Sequence, residues 1–536
     1  MSAPLRTLGW ALLAGLACGA APAAALTGAQ AADTEASYAR HANALLWSRS
    51  GAATAQARAL VDTLQAASAY GLRPEDYRGA ELAAQLAALS ASQDTTAIAW
   101  TRFDRELTGA AAKFIHDLHF GRIDPRAAGF DMPARERLDT AAVIEQLAGR
   151  GDPRAVLAEV EPGYLHYRLL RQSLARYREL AAAPGLPALP ALPHGSIRPG
   201  ESYAGAPQLR RRLAAVGDLP LQQSQRTALQ LDADLVAALK RFQYLHGLAD
   251  DGTLGAATLA ALRVPFAQRV RQIELTLERW RWVPALQPPT LIVNIPQFRL
   301  FLIRSAVDDE AGMLRMNVIV GRQYPQLHTP VFTADMTAVL FRPYWDVPPS
   351  IVRRELLAEL RRNPRYLEAH DMELVSTDGS ASTATGADLE ALAAGRLRLR
   401  QRPGPDNALG LIKFVLPNRY DVYLHSTPAQ RLFAAPRRAF SHGCIRVSDP
   451  VALAAAVLAG AGGDWTADRI RAAMDDDATF QVKLAQPVHV LILYGTAVAT
   501  EDGAVHFFED IYGQDRRLED LLGLAPVVGA RRSDHQ

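Results

Sequence analysis

The chain has 536 residues, too many for one compact core, since a domain usually holds about 100 to 200, and it reads as three domains. Its 58 Lys and Arg nearly balance 56 Asp and Glu, so neither nucleic acid nor an anionic membrane surface is implied as a partner. A hydrophobic share of 49% with only 7% aromatics excludes a disordered chain and, being rich in alanine, suits helical globular structure.

At the N-terminus, Arg6, an apolar run from Leu8 to Ala21 and Ala-x-Ala sites at Ala23–Ala25 and Ala29–Ala31 read as a secretory signal peptide over residues 1–31. The run is shorter than the ~20 residues that span a bilayer, so periplasmic export is expected rather than a retained anchor. Gly15 stands where a lipoprotein signal prefers leucine upstream of Cys18. Signal removal leaves Cys444 as the single thiol. Such a thiol forms no internal disulfide and is a liability in an oxidising compartment unless it is used.

Residues 34–183 carry Ala/Leu-rich amphipathic stretches, among them Ala52 to Ala67 and Tyr164 to Leu180, and read as a helical scaffold domain. His116, Asp117 and His119 fall close together there, but a satisfied helix surface explains them better than a metal site. Residues 184–200, with Pro184, Pro187, Pro190, Pro193 and Pro199, read as a semi-rigid linker.

In residues 201–265, Leu235, Leu239, Phe242 and Leu245 share one helical face. Gly247-Leu248, Asp250-Asp251-Gly252 and a second short helix from Thr253 follow. Phe242, Gln243, Gly247, Leu248, Asp251, Gly252, Gly255 and Thr258 together resemble the small three-helix peptidoglycan-binding module. Most of these positions also have a plain structural use in core, turn or cap.

From Thr290 the period changes to two. Leu291–Ile295, Phe298–Ile303, Val318–Val320, Ile412–Leu416, Asp421–Leu424 and Val488–Tyr494 read as strands of a β-rich domain over 266–520, before a tail at 521–536. A cap insertion at about 350–400 interrupts it with helices at Val352–Arg362 and Ala387–Ala394 and a polar loop from Ser376 to Gly386, a length usual for a lid.

The chemistry gathers in Tyr423-Leu424-His425-Ser426-Thr427-Pro428 and Ser441-His442-Gly443-Cys444-Ile445-Arg446-Val447. A cysteine nucleophile needs a base, and both His425 and His442 are within plausible reach. Zinc on His425, His442 and Cys444 is a weaker reading, lacking the second ligand pair of most zinc sites. Gly443 allows close backbone approach, which makes its amide and that of Cys444 candidates for an oxyanion site. Arg446 suits a substrate carboxylate, and Tyr423 alternates onto the face of His425 as a candidate pocket wall.

The two motifs resemble the signature of the YkuD-type L,D-transpeptidase catalytic domain. Glu278–Pro284, Arg342–Pro348, Pro403–Gly410 and Asp510–Gly513 are similar to segments of the large YcbB-type members. The resemblance implies an α+β multidomain protein: a helical scaffold, a peptidoglycan-binding module and a capped β-rich catalytic domain. It implies Cys444 as nucleophile, His425 as base, Ser426 orienting His425 through its carbonyl, and Gly443 in the catalytic loop. Tyr423, Ser441, His442, Arg446 and Trp345 are expected to contact substrate.

The implied reaction is acyl transfer between peptidoglycan stem peptides, forming 3→3 cross-links with release of D-alanine, without metal or organic cofactor, and open to carbapenem inhibition. Cell-wall synthesis proteins are possible partners. Stem hydrolysis and lipoprotein attachment are the alternatives within the family, and a non-catalytic wall-binding scaffold is the rival of another class.

Overall fold

The computed structural model describes residues 28–92, 96–149, 152–304, 312–363, 365–376, 378–382 and 386–527. All but the last residues of the expected signal peptide, and residues 528–536 of the expected tail, lie outside these. No helix among the described residues is long and apolar enough to cross a membrane. The chain forms two compact units.

The first unit comprises the chain up to Ser68, Leu72–His116 and Asp139–Ala158. It contains α1 (Gly28–Arg40), α2 (Ala55–Gln65), α3 (Gly79–Ala91), most of α4 (Ala97–Phe120), α5 (Thr140–Gly149) and most of α6 (Pro153–Val160). The helix expected from Ala52 begins only at Ala55, where the Thr54 hydroxyl accepts from Ala57 N at 3.1 Å and caps it. Apolar stripes bury Leu60, Leu64, Leu82, Phe103, Leu107 and Ile144. At their centre the buried Asp104 carboxylate accepts from Leu46 N at 3.0 Å, Trp47 N at 2.8 Å and Tyr38 OH at 2.8 Å, which offsets the cost of burying the charge.

The second unit comprises Ala69–Gly71, Asp117–Leu138 and the chain from Glu159; it contains α7 (Leu165–Ala182), the module helices α8 (Ala206–Val216), α9 (Ala233–Leu245) and α10 (Ala256–Arg263), and α11 (Phe266–Arg281). Asp117, expected on a helix surface, is buried in this unit. Leu209, Leu213, Leu235, Leu239 and Phe242 form the module core. Gln243 of the module motif holds the turn: its amide donates to Thr253 O at 2.9 Å and Thr258 Oγ1 at 3.1 Å, and its oxygen accepts from Gly252 N at 2.9 Å. Part of the expected linker belongs to this module. Leu189 joins its core and Ser196–Ile197 pairs with Leu254–Gly255.

The barrel strands are β1 (Thr290–Asn294), β2 (Arg299–Ile303), β3 (Leu314–Gly321) and β4 (Thr333–Phe341). The inserted lobe holds β5 (Trp345–Asp346), β6 (Met372–Val375), β7 (Ala381–Ser382) and β8 (Arg398–Gln401). The barrel resumes with β9 (Ile412–Val415), β10 (Leu424–His425), β11 (Ala439–Ser441), β12 (Ile445–Val447) and β13 (Phe480–Leu493). The order β11-β3-β12-β10-β9-β4-β13-β1-β2, with β2 also paired to β3, closes eight strands into a barrel, with β11 flanking β3. Closure pairs each of the eight strands on both sides and leaves β11 as the edge strand. Ile412, Phe414, Leu424, Ile445, Val447 and Val318 fill the core, so their sequence neighbours alternate to the outer face.

Two differences from the sequence reading matter for the site. The strand expected at Asp421–Leu424 shrinks to Leu424–His425, because Asp421 sits at φ 53° in the left-handed region and interrupts the extended run. The insertion carries its helices, Pro349–Ile351 running through Val352–Leu356 into Leu357–Arg362, and Gly386–Ala393. It also has a four-stranded sheet in the order β7-β6-β8-β5 over a core that includes Val347, Val352, Leu374 and Leu399.

Candidate active site

The parallel register of β10 and β12 sets Leu424 beside Ile445 and His425 beside Arg446; Ile445 N donates to Tyr423 O at 3.0 Å. Alternation therefore brings Tyr423, His425, Cys444 and Arg446 onto one outer face. On the other side of β10, antiparallel β9 sets Lys413 beside His425. These residues line a cleft of about 780 Å³ together with Trp345, Val347 and Ile351 from the inserted lobe. A site of this kind is concave and largely apolar, with a few convergent polar groups.

His425 is buried, and its Nδ1 lies 2.6 Å from Ser426 O. A carbonyl only accepts, so Nδ1 carries the proton and Nε2 keeps a lone pair. Burial, then the Arg446 charge, push the imidazole down to about 3, against the carbonyls of Ser426 and Leu409. The ring is thus neutral at working pH. Ser426 is fixed in turn: its hydroxyl accepts from Leu411 N at 2.8 Å and Ile412 N at 3.0 Å and donates to Leu409 O at 3.2 Å. Gly410, at φ 63°, makes room for this, since a Cβ there would stand 2.2 Å from Ser426 Oγ.

Cys444 is half-buried, its thiol 3.7 Å from Asp421 O. Burial pushes the thiol up, while Tyr423, Lys413 and Arg446 pull it down. Burial thus favours the uncharged form of both groups on this face, a thiol and a neutral imidazole. Tyr423 stands 5.7 Å from His425 ring to ring, and Lys413 Nζ lies 3.9 Å from the Tyr423 ring centroid. Lys413 was not foreseen, although the alternation of Ile412-Lys413-Phe414 already turns it away from the core.

Three residues expected to contact substrate line the same cleft and also have partners or positions of their own. Ser441 is buried, and its hydroxyl donates to Cys444 O at 2.5 Å and accepts from Gly443 N at 3.1 Å. It therefore staples the loop, and it also belongs to the lining of the cleft. The same bond engages the Gly443 amide, whereas the Cys444 amide has no partner among the described residues. His442 Nε2 lies 2.7 Å from Glu355 Oε1 of the inserted lobe, and Trp345 is half-buried on β5 beside the cleft.

Gly443, at φ 117°, is held from below. Thr329 Oγ1 donates to its carbonyl at 2.7 Å, Thr329 N donates to Tyr512 OH at 3.3 Å, and Tyr512 OH donates to Gly321 O at 2.6 Å. Asp510–Gly513 thus supports the loop that leads to Cys444. Glu278–Pro284 is likewise structural: buried Glu278 accepts from Arg281 Nη1 at 3.1 Å and Arg122 Nε at 3.2 Å.

Residues 288–477 match the family model of the YkuD L,D-transpeptidase catalytic domain. The chain carries a YkuD domain. Residues 32–174 match a scaffold domain, and residues 203–262 match a family described as a "Putative peptidoglycan binding domain". A Haemophilus influenzae protein named "Putative L,D-transpeptidase" is 28% identical over 303 residues, covering 55% of this chain and 60% of that protein. The YkuD match contains β1 to β12, the inserted lobe and both motifs. Among the described residues no cluster of three or more His, Cys, Asp or Glu has the arrangement of a metal site.

Proposed function

We propose that the protein is an exported L,D-transpeptidase that forms 3→3 peptidoglycan cross-links through an acyl-enzyme on Cys444. The observation that carries this reading is the shared face of His425 on β10 and Cys444 immediately before the paired strand β12, with His425 Nδ1 committed to Ser426 O. A neutral imidazole with a free Nε2 lone pair is the form a general base requires.

As Sγ attacks the carbonyl of the third residue of a tetrapeptide stem, His425 Nε2 takes the thiol proton. The Cys444 amide stabilises the developing oxyanion. Collapse expels the terminal D-alanine, whose amine receives that proton from His425, and leaves a thioester. The side-chain amine of a neighbouring stem then attacks the thioester, His425 removes its excess proton, and the restored thiol leaves. The chemistry calls for no cofactor.

Water competes with the acceptor amine at the thioester stage, so a lobe roofing the cleft favours transfer over hydrolysis. The module supports a wall-bound substrate, and such a substrate lies outside the cytoplasm, in keeping with the signal-like N-terminus. The test is muropeptide analysis of tetrapeptide-rich sacculi treated with the purified protein. New 3→3 dimers are expected; conversion to tripeptide alone would replace transfer with hydrolysis.

A further inference from the structure

Two cations stand on the face that carries the thiol, and neither is ion-paired with a protein carboxylate among the described residues. Lys413, His425 and Arg446 are register neighbours across β9, β10 and β12, each strand step being about 4.8 Å. The two positive groups therefore flank the histidine, one on each side. Lys413 is half-buried with its Nζ over the Tyr423 ring. Arg446 is half-buried, and its Nε is shielded from water without a hydrogen-bond partner.

Neither side chain forms an ion pair or hydrogen bond among the described residues. Of the carboxylates lining the same cleft, Asp346 pairs with Arg398 at 3.7 Å and Glu355 with His442 at 2.7 Å. Asp421 is exposed and presents its carbonyl to the thiol; it and Asp346 act on Lys413 only as neighbouring charges that do not pair with it, and burial outweighs them. Withdrawing cations from water without a counter-charge is unfavourable, and an anionic ligand in the cleft would compensate both at once.

We infer that Lys413 and Arg446 together form a carboxylate subsite for the donor stem, with Lys413 as a specificity-determining residue. The inference rests on the transpeptidase reading. A donor stem offers two carboxylates near the scissile amide: the terminal one on the leaving residue, and any borne by the side chain of the third residue. Arg446 brings a planar fork suited to bidentate contact, Lys413 a point charge on a flexible stem. The subsite thus accepts a carboxylate and selects against its amide.

The experiment measures acyl-enzyme formation by intact-mass spectrometry with three synthetic tetrapeptide donors: the free acid, the terminal amide and the third-residue side-chain amide. Wild type, Lys413→Met and Lys413→Arg are compared, with iodoacetamide alkylation of Cys444 reporting thiol reactivity. In wild type one of the two amides should acylate roughly 10- to 100-fold more slowly in kcat/KM, the scale of one charge-assisted hydrogen bond, and its identity names the carboxylate. Lys413→Met should erase most of that discrimination, chiefly through KM, while Lys413→Arg keeps it even if the methionine variant folds poorly.

Wild-type indifference to both amidations would overturn the subsite. So would a Lys413→Met defect equal on all three donors and matched in iodoacetamide alkylation, because Lys413 would then act on the thiol alone. If wild type acylates with none of the donors, the transpeptidase reading falls and the subsite falls with it.

Discussion

His442 Nε2 lies 2.7 Å from Glu355 Oε1, so the loop that ends in Cys444 is tied to the helical run of the inserted lobe. Glu355 belongs to the π-helical turn Val352–Leu356, a local irregularity often found where a helix serves a site. The pair is partly exposed, and such pairs contribute about 0–1 kcal/mol to stability. Glu355→Ala should therefore leave the folding free energy nearly unchanged while loosening the roof of the cleft. Product analysis should show a several-fold rise in tripeptide relative to cross-linked dimer. An unchanged ratio would reduce the contact to surface decoration.

Ser441→Ala separates a loop staple from a substrate contact. Removing the hydroxyl leaves Gly443 N and Cys444 O without their partner, a loss of about 1–3 kcal/mol for buried groups. Denaturant unfolding should show that loss, and acylation should slow for every donor alike. A raised KM at unchanged stability would restore Ser441 as a ligand contact.

The resting thiol–imidazole pair has a pH signature. With the thiol pushed up by burial and His425 held down at about 3, the thiolate fraction grows only on the alkaline side of the ordinary thiol range. Iodoacetamide alkylation of Cys444 should accordingly climb with pH beyond that range. A plateau already present near pH 6 would reveal an ion pair and reverse the assignment.

A strained β-lactam is a second electrophile for the same thiol. Incubation with a carbapenem should add one drug mass to the wild-type chain and none to Cys444→Ala, read by intact-mass spectrometry. An adduct surviving in the variant would place acylation elsewhere.

Much of this site was legible because its residues sit in two short motifs whose chemistry depends on residue type. The helices of the scaffold and module were legible from their 3.6-residue period. Harder to see was the setting. β4 (Thr333–Phe341) lies in the barrel wall between β9 and β13, yet its buried residues, among them Met336 and the adjacent Ala338 and Val339, follow no clean alternation that would announce a strand. The lobe sheet rests on strands of two to four residues, too short for a periodic signal. Lys413 escaped notice for another reason: its meaning comes from the register with His425, which no local pattern contains. The roles of Ser441 and the Gly443 amide also depended on hydrogen bonds that fold the loop back on itself.

The most direct test of the whole account is intact-mass spectrometry of wild type and Cys444→Ala mixed with a tetrapeptide donor and no acceptor. Wild type should gain the mass of the stem less its terminal D-alanine, with D-alanine released into solution, while Cys444→Ala gains nothing and stays folded. D-alanine release or cross-linking by the variant, or a wild-type protein that neither acylates nor releases D-alanine, would contradict the proposed mechanism.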